Sequence, residues 1–191
     1  MDADKLIPTP GLARKTWARI DLLERQVCLI CNSLARRTSI RRFFSIVSRL
    51  GDGVFWYLLM LSLPLLYGLP GLTVSLQMVF CGMLGLSIYK WLKARTVRER
   101  PFAAHPDILC GTAPLDQYSF PSGHTLHAVL FTVLALSSFP ALAVILLPFM
   151  SLVALSRVIL GLHYPSDVAA GAAIGWLMAE IGLWLFSLAG A

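Results

Sequence analysis

The chain has 191 residues, of which 57% are hydrophobic and 14% charged, with a mean hydropathy of +0.73. Water-soluble domains of this size carry more charge, so the composition favours a single membrane-embedded domain and argues against a soluble protein. The formal charge is +6, and ten of the sixteen Lys and Arg lie between Lys5 and Arg49, with five more between Lys90 and Arg100. Such clusters beside apolar spans suit anionic headgroups or phosphates, and we expect no nucleic-acid partner.

The first fifty residues mix apolar and charged side chains at helical spacing. Trp17, Ile20, Leu23 and Val27 recur on one side of the predicted helix. Four arginines follow, namely Arg36, Arg37, Arg41 and Arg42. Each would cost about 2.5–3.5 kcal/mol at a bilayer centre. We therefore predict a basic amphipathic segment lying on the membrane surface over residues 1–50, and a membrane-embedded domain over residues 51–191.

Apolar tracts come next along the chain, over residues 54–69, 72–92, 125–162 and 168–189. The third is too long for one crossing of a hydrocarbon core about 30 Å thick, and Pro140 favours a tight turn within it. The sequence thus predicts an all-α, polytopic membrane bundle with about five spans. The turns near Gly68 and Pro140 then lie on one membrane face. The amino-terminal segment, residues 93–124 and residues 161–167 lie on the other.

The last span has two features of its own. Gly171 and Gly175 are spaced as G-x-x-x-G among four alanines, a pattern that permits close helix packing. Glu180 lies further along the same span, where a carboxylate needs a partner, a water-filled cavity or the membrane edge. The sequence fits a functional role for Glu180 and a position near the edge equally well.

The first of three polar clusters on the shared face pairs two cations. Lys93 is followed seven residues later by Arg100 and then by Pro101. If the helix continues past the membrane surface, seven residues make two turns and both cations project from one side, as clamping a phosphoryl group requires. Taken alone, the cluster is equally typical of a snorkelling helix end.

The second cluster, residues 120–124, opens a span. The first N–H groups of a helix have no partner within it, and they favour an anion. Ser122 adds a hydroxyl or serves as a simple N-cap, and Gly123 lets a ligand approach the backbone. His124 supplies a side chain that exchanges a proton near neutral pH.

The third cluster, residues 156–167, surrounds the start of the last span. Arg157 lies near the end of an apolar span, where a guanidinium needs an anionic partner such as a phosphate. His163 and Asp167 flank Pro165, so the carboxylate is placed to hold the imidazole tautomer and to support its positive charge.

The three clusters together resemble the type 2 phosphatidic acid phosphatase family, whose signatures are K-x6-RP, PSGH and SR-x5-H-x3-D. All three occur here without a departure, over residues 93–101, 121–124 and 156–167. The resemblance implies that His163 attacks phosphorus to form a phosphohistidine, that Asp167 orients it, and that His124 protonates the leaving oxygen. The residues implied to hold the phosphate are Lys93, Arg100, Ser122, Gly123 and Arg157. It implies neither a metal ion nor another cofactor.

The membrane composition is similar to that of the family's lipid phosphatases and unlike that of its soluble acid phosphatases and vanadium haloperoxidases. The resemblance therefore implies hydrolysis of a lipid phosphate monoester or diphosphate, such as undecaprenyl diphosphate, phosphatidylglycerophosphate or phosphatidic acid, in cell-envelope lipid metabolism. Two alternatives stand beside it: a lipid-linked phosphotransferase, and a non-enzymatic membrane scaffold or transporter that binds anionic lipids. The oligomeric state is not indicated.

The family's bacterial lipid phosphatases typically have six spans and a site facing the periplasm. With five spans, the amino terminus of this chain lies on the catalytic side, yet its ten basic residues favour the cytoplasm. We expect a bacterial inner-membrane protein, with a periplasmic site slightly favoured over a cytoplasmic one.

The remaining polar residues have no signature position. Asp52 is expected to be a turn or cap residue, and Glu99 a partner of nearby arginines. Asp107 and Asp116 lack metal-ligand spacing. His105 and His127 are expected on the surface and in packing, and Cys28 and Cys31 as small helix residues rather than a zinc or redox pair.

Overall fold

A computed structural model describes residues 12–114 and 116–188, with side chains from residue 21 onward. The helices are α1 (Leu12–Ala35), α2 (Thr38–Arg49), α3 (Phe55–Arg95), α4 (Pro101–Ala104), α5 (Gly123–Ser138), α6 (Ala143–Ile159) and α7 (Pro165–Leu188). A π-helical turn, Leu50–Val54, joins α2 to α3, and a 3₁₀ turn, Pro140–Leu142, joins α5 to α6. These ranges contain no strand. The predicted all-α fold is confirmed.

Helix α3 is a hairpin of two arms that meet at Gly68. Gly68 has φ +64° and ψ −136°, a backbone conformation that side chains disfavour, and the helical pattern breaks there. The two arms then pack side by side in opposite directions. A hydrogen bond joins them, in which the hydroxyl of Ser75 donates to the carbonyl of Met60 at 2.7 Å. A Cβ atom on Gly71 would lie 2.1 Å from the carbonyl oxygen of Leu63, so only glycine permits this approach. The predicted turn near Gly68 is confirmed.

The long third apolar tract is likewise divided. Helix α5 ends at Ser138 and α6 begins at Ala143, with Pro140 at the start of the intervening turn. Three helical stretches, Thr38–Arg95, Pro140–Ile159 and Pro165–Leu188, are long and apolar enough to cross a membrane, and Gly123–Ser138 is a shorter apolar helix. With the two arms of α3 counted separately, the described chain has five apolar helical segments, the number predicted.

Helices α5 and α7 run parallel and touch through backbone. A Cβ atom on Gly171 would lie 2.5 Å from the carbonyl oxygen of Ser122, and one on Gly175 would lie 2.3 Å from that of Leu126. The predicted G-x-x-x-G packing is confirmed. Glu180 is exposed on the outer face of α7 and makes no ion pair with any side chain from residue 21 onward that the structure describes.

The amino-terminal helices lie at the end of the bundle that carries the polar clusters. The side-chain amide of Asn32 on α1 donates to the carbonyls of Leu109 and Ile159, at 2.9 and 3.0 Å, and accepts the N–H of Leu109 at 2.7 Å. Asn32 thereby joins α1 to the connecting loop and to the end of α6. On the same helix, Cys28 is buried and Cys31 half-buried, and both are free thiols.

Candidate active site

The three predicted clusters converge at one end of the bundle. Arg100 lies 3.3 Å from the imidazole of His163, measured from Nη1 to Nε2. The backbone N–H of Ser122 donates to the carbonyl of Asp167 at 3.0 Å, which joins the second cluster to the third. His124 lies close enough to Arg157 and Arg100 to interact with their charges, and His163 is among its neighbours. The structure thus brings the predicted site residues into one pocket.

Lys93 and Arg100 reach that pocket in a way that the sequence did not predict. Helix α3 ends at Arg95, so the two cations do not share one continuous helix. Arg100 is extended, with φ −76° and ψ 151°, because the ring of the following Pro101 disfavours helical backbone there. The cations meet instead across the end of α3, and both contact Asp116 Oδ1 at 2.6 Å.

Asp116 is the anionic partner of both cations in this structure. Its carboxylate also accepts the hydroxyl of Tyr89, and its backbone carbonyl accepts Nε–H of Arg100 at 3.0 Å. Burial raises the pKa of Asp116, but hydrogen bonds from Lys93, Tyr89 and Arg100 outweigh burial and lower it to about 2. The cation pair therefore binds a carboxylate where a phosphate is expected.

His163 is held as a neutral ring. Because a guanidinium only donates, Nε2 of His163 carries the lone pair towards Arg100, and the ring proton is assigned to Nδ1. Burial lowers the pKa of His163 well below its usual range, and Arg157, Arg100 and Lys93 lower it further. A neutral imidazole with its lone pair on Nε2, surrounded by cations, is the form that attacks an anionic electrophile.

Asp167 faces the other nitrogen of that ring. Its Oδ2 lies 3.7 Å from Nδ1 of His163 and accepts the backbone N–H of Tyr164 at 2.8 Å. Nδ1 of His163 makes no hydrogen bond to a described residue. The carboxylate is thus at the position that fixes the tautomer, although the contact is longer than a hydrogen bond.

Arg98, at an unspecified position of the first signature, and Glu24, which precedes all three, support that carboxylate. Arg98 donates to Asp167 Oδ1 and to the hydroxyl of Ser166, both at 2.7 Å, and also to the carboxylate of Glu24. Glu24 Oε1 in turn accepts the backbone N–H of Ser166 at 2.8 Å. Among the side chains described from residue 21 onward, the expected pairing of Glu99 with an arginine does not occur, and Arg98 pairs instead with Glu24 and Asp167, and Arg100 with Asp116.

Arg157 is buried at the end of α6, with 3% of its surface exposed. Its Nη1 donates to the hydroxyl of Ser48 on α2, and its Nε has no partner among the described residues. A buried guanidinium with an unpaired N–H retains a donor for an incoming anion.

The second cluster lies at the amino end of α5. Ser122 occupies the N-cap position, but its hydroxyl bonds that of Thr125 at 2.9 Å rather than a backbone N–H. A Cβ atom on Gly123 would lie 2.7 Å from the ring of Tyr89. In this structure the tyrosine ring therefore makes the close approach to the backbone that was expected of a ligand. His124 Nε2 faces Asp52 Oδ1 at 3.4 Å.

The two other histidines lie away from the phosphate-binding cations. His127 hydrogen-bonds the carbonyl of Gly123 at 2.9 Å and approaches that of Gly82 at 3.3 Å, so it links α5 to α3. His105 is half-buried and its ring lies edge-on to Tyr164.

Several residues at the site have no signal in the sequence, namely Glu24, Ser48, Asp52, Tyr89, Arg98 and Asp116. None of them occupies a specified position of the signatures, and each meets its partner only through the fold. The one available hint was charge balance, because buried cations require acids and the chain has few of them.

Comparisons with known proteins agree with this geometry. The chain is 40% identical over 101 residues to decaprenylphosphoryl-5-phosphoribose phosphatase of Mycobacterium tuberculosis, and the aligned region covers 52% of each protein. It is 33% identical over 109 residues to lipid A 1-phosphatase of Rhizobium johnstonii, covering 55% of this chain and 43% of that protein. The chain therefore spans about half the length of the curated relatives it matches.

A solved structure and a family model extend the comparison. The crystal structure of Aquifex aeolicus LpxE superposes with a TM-score of 0.72 at 27% identity, covering 83% of this chain and 93% of that one. The family model of the PAP2 superfamily matches residues 72–190, a region that contains all three signatures. On this match and this geometry, the chain belongs to the PAP2 superfamily.

Proposed function

We propose that this membrane protein is a lipid phosphatase that hydrolyses a lipid phosphate monoester or diphosphate through a phosphohistidine. The observation that carries the proposal is the neutral ring of His163, whose Nε2 lone pair faces the cation cluster of Lys93, Arg100 and Arg157. Anionic phosphate is attracted to those cations, and the nucleophile lies among them.

In the proposed reaction, Nε2 of His163 attacks phosphorus as the bond to the leaving oxygen breaks. His124 donates a proton to that oxygen. Charge that develops on the equatorial oxygens is stabilised by Lys93, Arg100 and Arg157, helped by the Ser122 hydroxyl and the Gly123 N–H. A water that loses its proton to His124 then attacks the phosphohistidine, which releases phosphate and restores both histidines. Phosphate replaces Asp116 on the cations when substrate binds.

An apolar cavity beside the site supports a lipid rather than a water-soluble substrate. The cavity holds about 370 Å³ and runs from Asp52 and His124 between the arms of α3 and along α5. Its walls include Met60, Met78, Val79, Met83, Leu86 and Phe131. An acyl or isoprenoid chain that enters this cavity would place its phosphate at the cations.

The relatives' names support a lipid-linked phosphate but not one particular lipid. A side-by-side assay of undecaprenyl diphosphate, phosphatidylglycerophosphate, phosphatidic acid and a decaprenyl-phosphoryl pentose phosphate, each in mixed micelles, ranks them by kcat/KM. The apolar cavity has no polar group that would distinguish one hydrocarbon chain from another along Met60, Met78, Val79, Met83, Leu86 and Phe131. We therefore expect the chemical groups next to the phosphate to decide the order of the kcat/KM values.

The chemistry is tested with purified protein in EDTA and radiolabelled lipid phosphate. We expect phosphate release to continue in EDTA, because cations of the chain neutralise the charge that a metal neutralises elsewhere. His163→Ala should lower kcat by at least about 1,000-fold and abolish the acid-labile, base-stable radiolabel on the quenched protein. His105→Ala, outside the cation cluster, is the control. Retention of most activity by His163→Ala would refute the nucleophile.

Of the two predicted units, 1–50 and 51–191, we infer that the described residues of the first form an interfacial segment and those of the second the membrane-embedded phosphatase domain; residues 1–11 and 189–191 lie outside the described residues. In support, α2 buries Val47 and Ser48 against the bundle while Phe43 and Ile46 are exposed, as in a helix lying at the lipid surface. We place the protein in a bacterial inner membrane with its site facing the periplasm, as is typical of the family.

A further inference from the structure

A carboxylate outside the three signatures faces the second histidine. Asp52 Oδ1 lies 3.4 Å from Nε2 of His124, and the two side chains are 44% and 11% exposed. Both residues line the apolar cavity, at the end nearest the cations. The region that matches the family model begins at residue 72, so Asp52 is supplied by a part of the chain that the family match does not include.

The backbone around Asp52 is built for this placement. The π-helical turn Leu50–Val54 contains Gly53 with φ +137°, where side chains are strained, and a Cβ on Gly51 would lie 2.7 Å from Val153. Trp56 fixes the turn by donating its indole N–H to the carbonyl of Gly51 at 3.2 Å. The sequence predicts a turn or cap role for Asp52; the residue lies in the turn, and among the described residues no side-chain hydrogen bond caps either of the adjoining helical segments.

The charges around His124 explain why a carboxylate is useful at this point. The guanidinium charges of Arg157 and Arg100 act on His124, whose neighbours also include the rings of His163 and, one turn along α5, His127. An imidazolium among cations is disfavoured, yet a group that protonates a leaving oxygen must carry a proton. Asp52 is the acid within ion-pair distance of His124 among the described side chains from residue 21 onward.

We propose that Asp52 is a positioning residue that holds His124 as an imidazolium during cleavage of the ester bond. This inference rests on the proposed function. One ring N–H points to Asp52, and the other is donated to the leaving oxygen as His163 Nε2 bonds to phosphorus. The alcohol leaves with that proton and His124 becomes neutral. Water then returns a proton to His124 as its oxygen attacks the phosphohistidine, and Asp52 holds the ring again as an imidazolium.

The test compares two leaving groups in one variant. An alkoxide needs a proton to leave, whereas p-nitrophenolate leaves as a stable anion, so only the first depends on His124. We expect Asp52→Asn to lower kcat/KM for phosphatidic acid by about tenfold to a hundredfold, and for p-nitrophenyl phosphate by less than about threefold. His124→Asn should give the same asymmetry. Asp52→Glu should recover part of the loss.

The ratio of the two kcat/KM values does not depend on how much enzyme is folded, so a partly unfolded variant still reports on the mechanism. Asp107→Asn, an exposed acid that pairs with Arg25 at 3.4 Å, is the matched control and should leave the ratio unchanged. An equal fall on both substrates, or no fall on either, would overturn the role of Asp52. Absence of hydrolysis by the unaltered chain would instead overturn the proposed function.

Discussion

At the scale of single residues, the signatures predicted which side chains share the pocket, and the fold decided what each of them contacts. His163, Arg100 and Lys93 were predicted as site residues from the three signatures and the family resemblance that these signatures carry. Asp116, the partner of Lys93 and Arg100, was not predicted, because a carboxylate in a loop meets its partners only once the chain has folded. Spacing records which residues follow one another, whereas ion pairs across the pocket depend on packing. The roles assigned to the signature residues stay predictions until variants are assayed.

Asp116→Asn should lower stability in a pH-dependent way. The folded pKa of Asp116 is about 2, below its ordinary 3.8, so the charged carboxylate stabilises the fold above pH 3.8, and the stabilisation is lost as the pH falls towards 2. We expect the variant to melt several degrees lower at pH 6, where about 1 kcal/mol shifts a chain of this size by roughly 2–4 °C. The difference should shrink between pH 4 and pH 2 and vanish below pH 2, as followed by thermal unfolding in detergent. A difference that is constant across this range contradicts the assignment.

At the scale of elements, glycines and prolines indicated where helices turn and where they touch. Gly68 and Pro140 mark the two predicted turns, and Gly171 and Gly175 mark the α5–α7 contact. The end of α3 at Arg95 was not predicted, because the apolar pattern stops before the helix does and Pro101 acts only on Arg100. The break after α3 is what brings Arg100 back over the pocket.

Gly175→Ala should weaken the bundle through the α5–α7 contact. The added Cβ would lie 2.3 Å from the carbonyl oxygen of Leu126, and backbone atoms of two helices must move apart to accept it. Overpacking of this kind costs about 1–3 kcal/mol, so the melting temperature should fall by several degrees. Ala173→Leu, on the exposed face of the same helix, is the control. A melting temperature for Gly175→Ala equal to that of the unaltered chain would show that the helices separate without strain.

At the scale of the whole molecule, the site and the amino-terminal helices share one end of the bundle. Glu24 on α1 binds Arg98, and Ser48 on α2 binds Arg157, so the basic segment lies on the catalytic side. The sequence predicted this arrangement from the number of spans. It did not predict the membrane orientation, because the positive-inside tendency of ten basic residues opposes the family's usual periplasmic site.

Orientation is measured with single cysteines in a chain whose own four are replaced by alanine. Asp107→Cys marks the catalytic end, and Ala141→Cys marks the opposite turn, where residue 141 is exposed. In intact cells with a permeable outer membrane, a maleimide that cannot cross the inner membrane should label Asp107→Cys. The same reagent should label Ala141→Cys only after the cells are lysed. The reverse pattern would place the site in the cytoplasm.

The contacts of α1 and α2 with the site also bear on exchanging parts between relatives. Glu24, Ser48 and Asp52 all precede the region that matches the family model, yet they contact Arg98, Arg157 and His124. A chimaera joined near residue 72 would therefore combine two halves of one pocket that had diverged separately. Substrate preference in such a hybrid should follow the compatibility of the halves across the junction, rather than the origin of the three signatures alone.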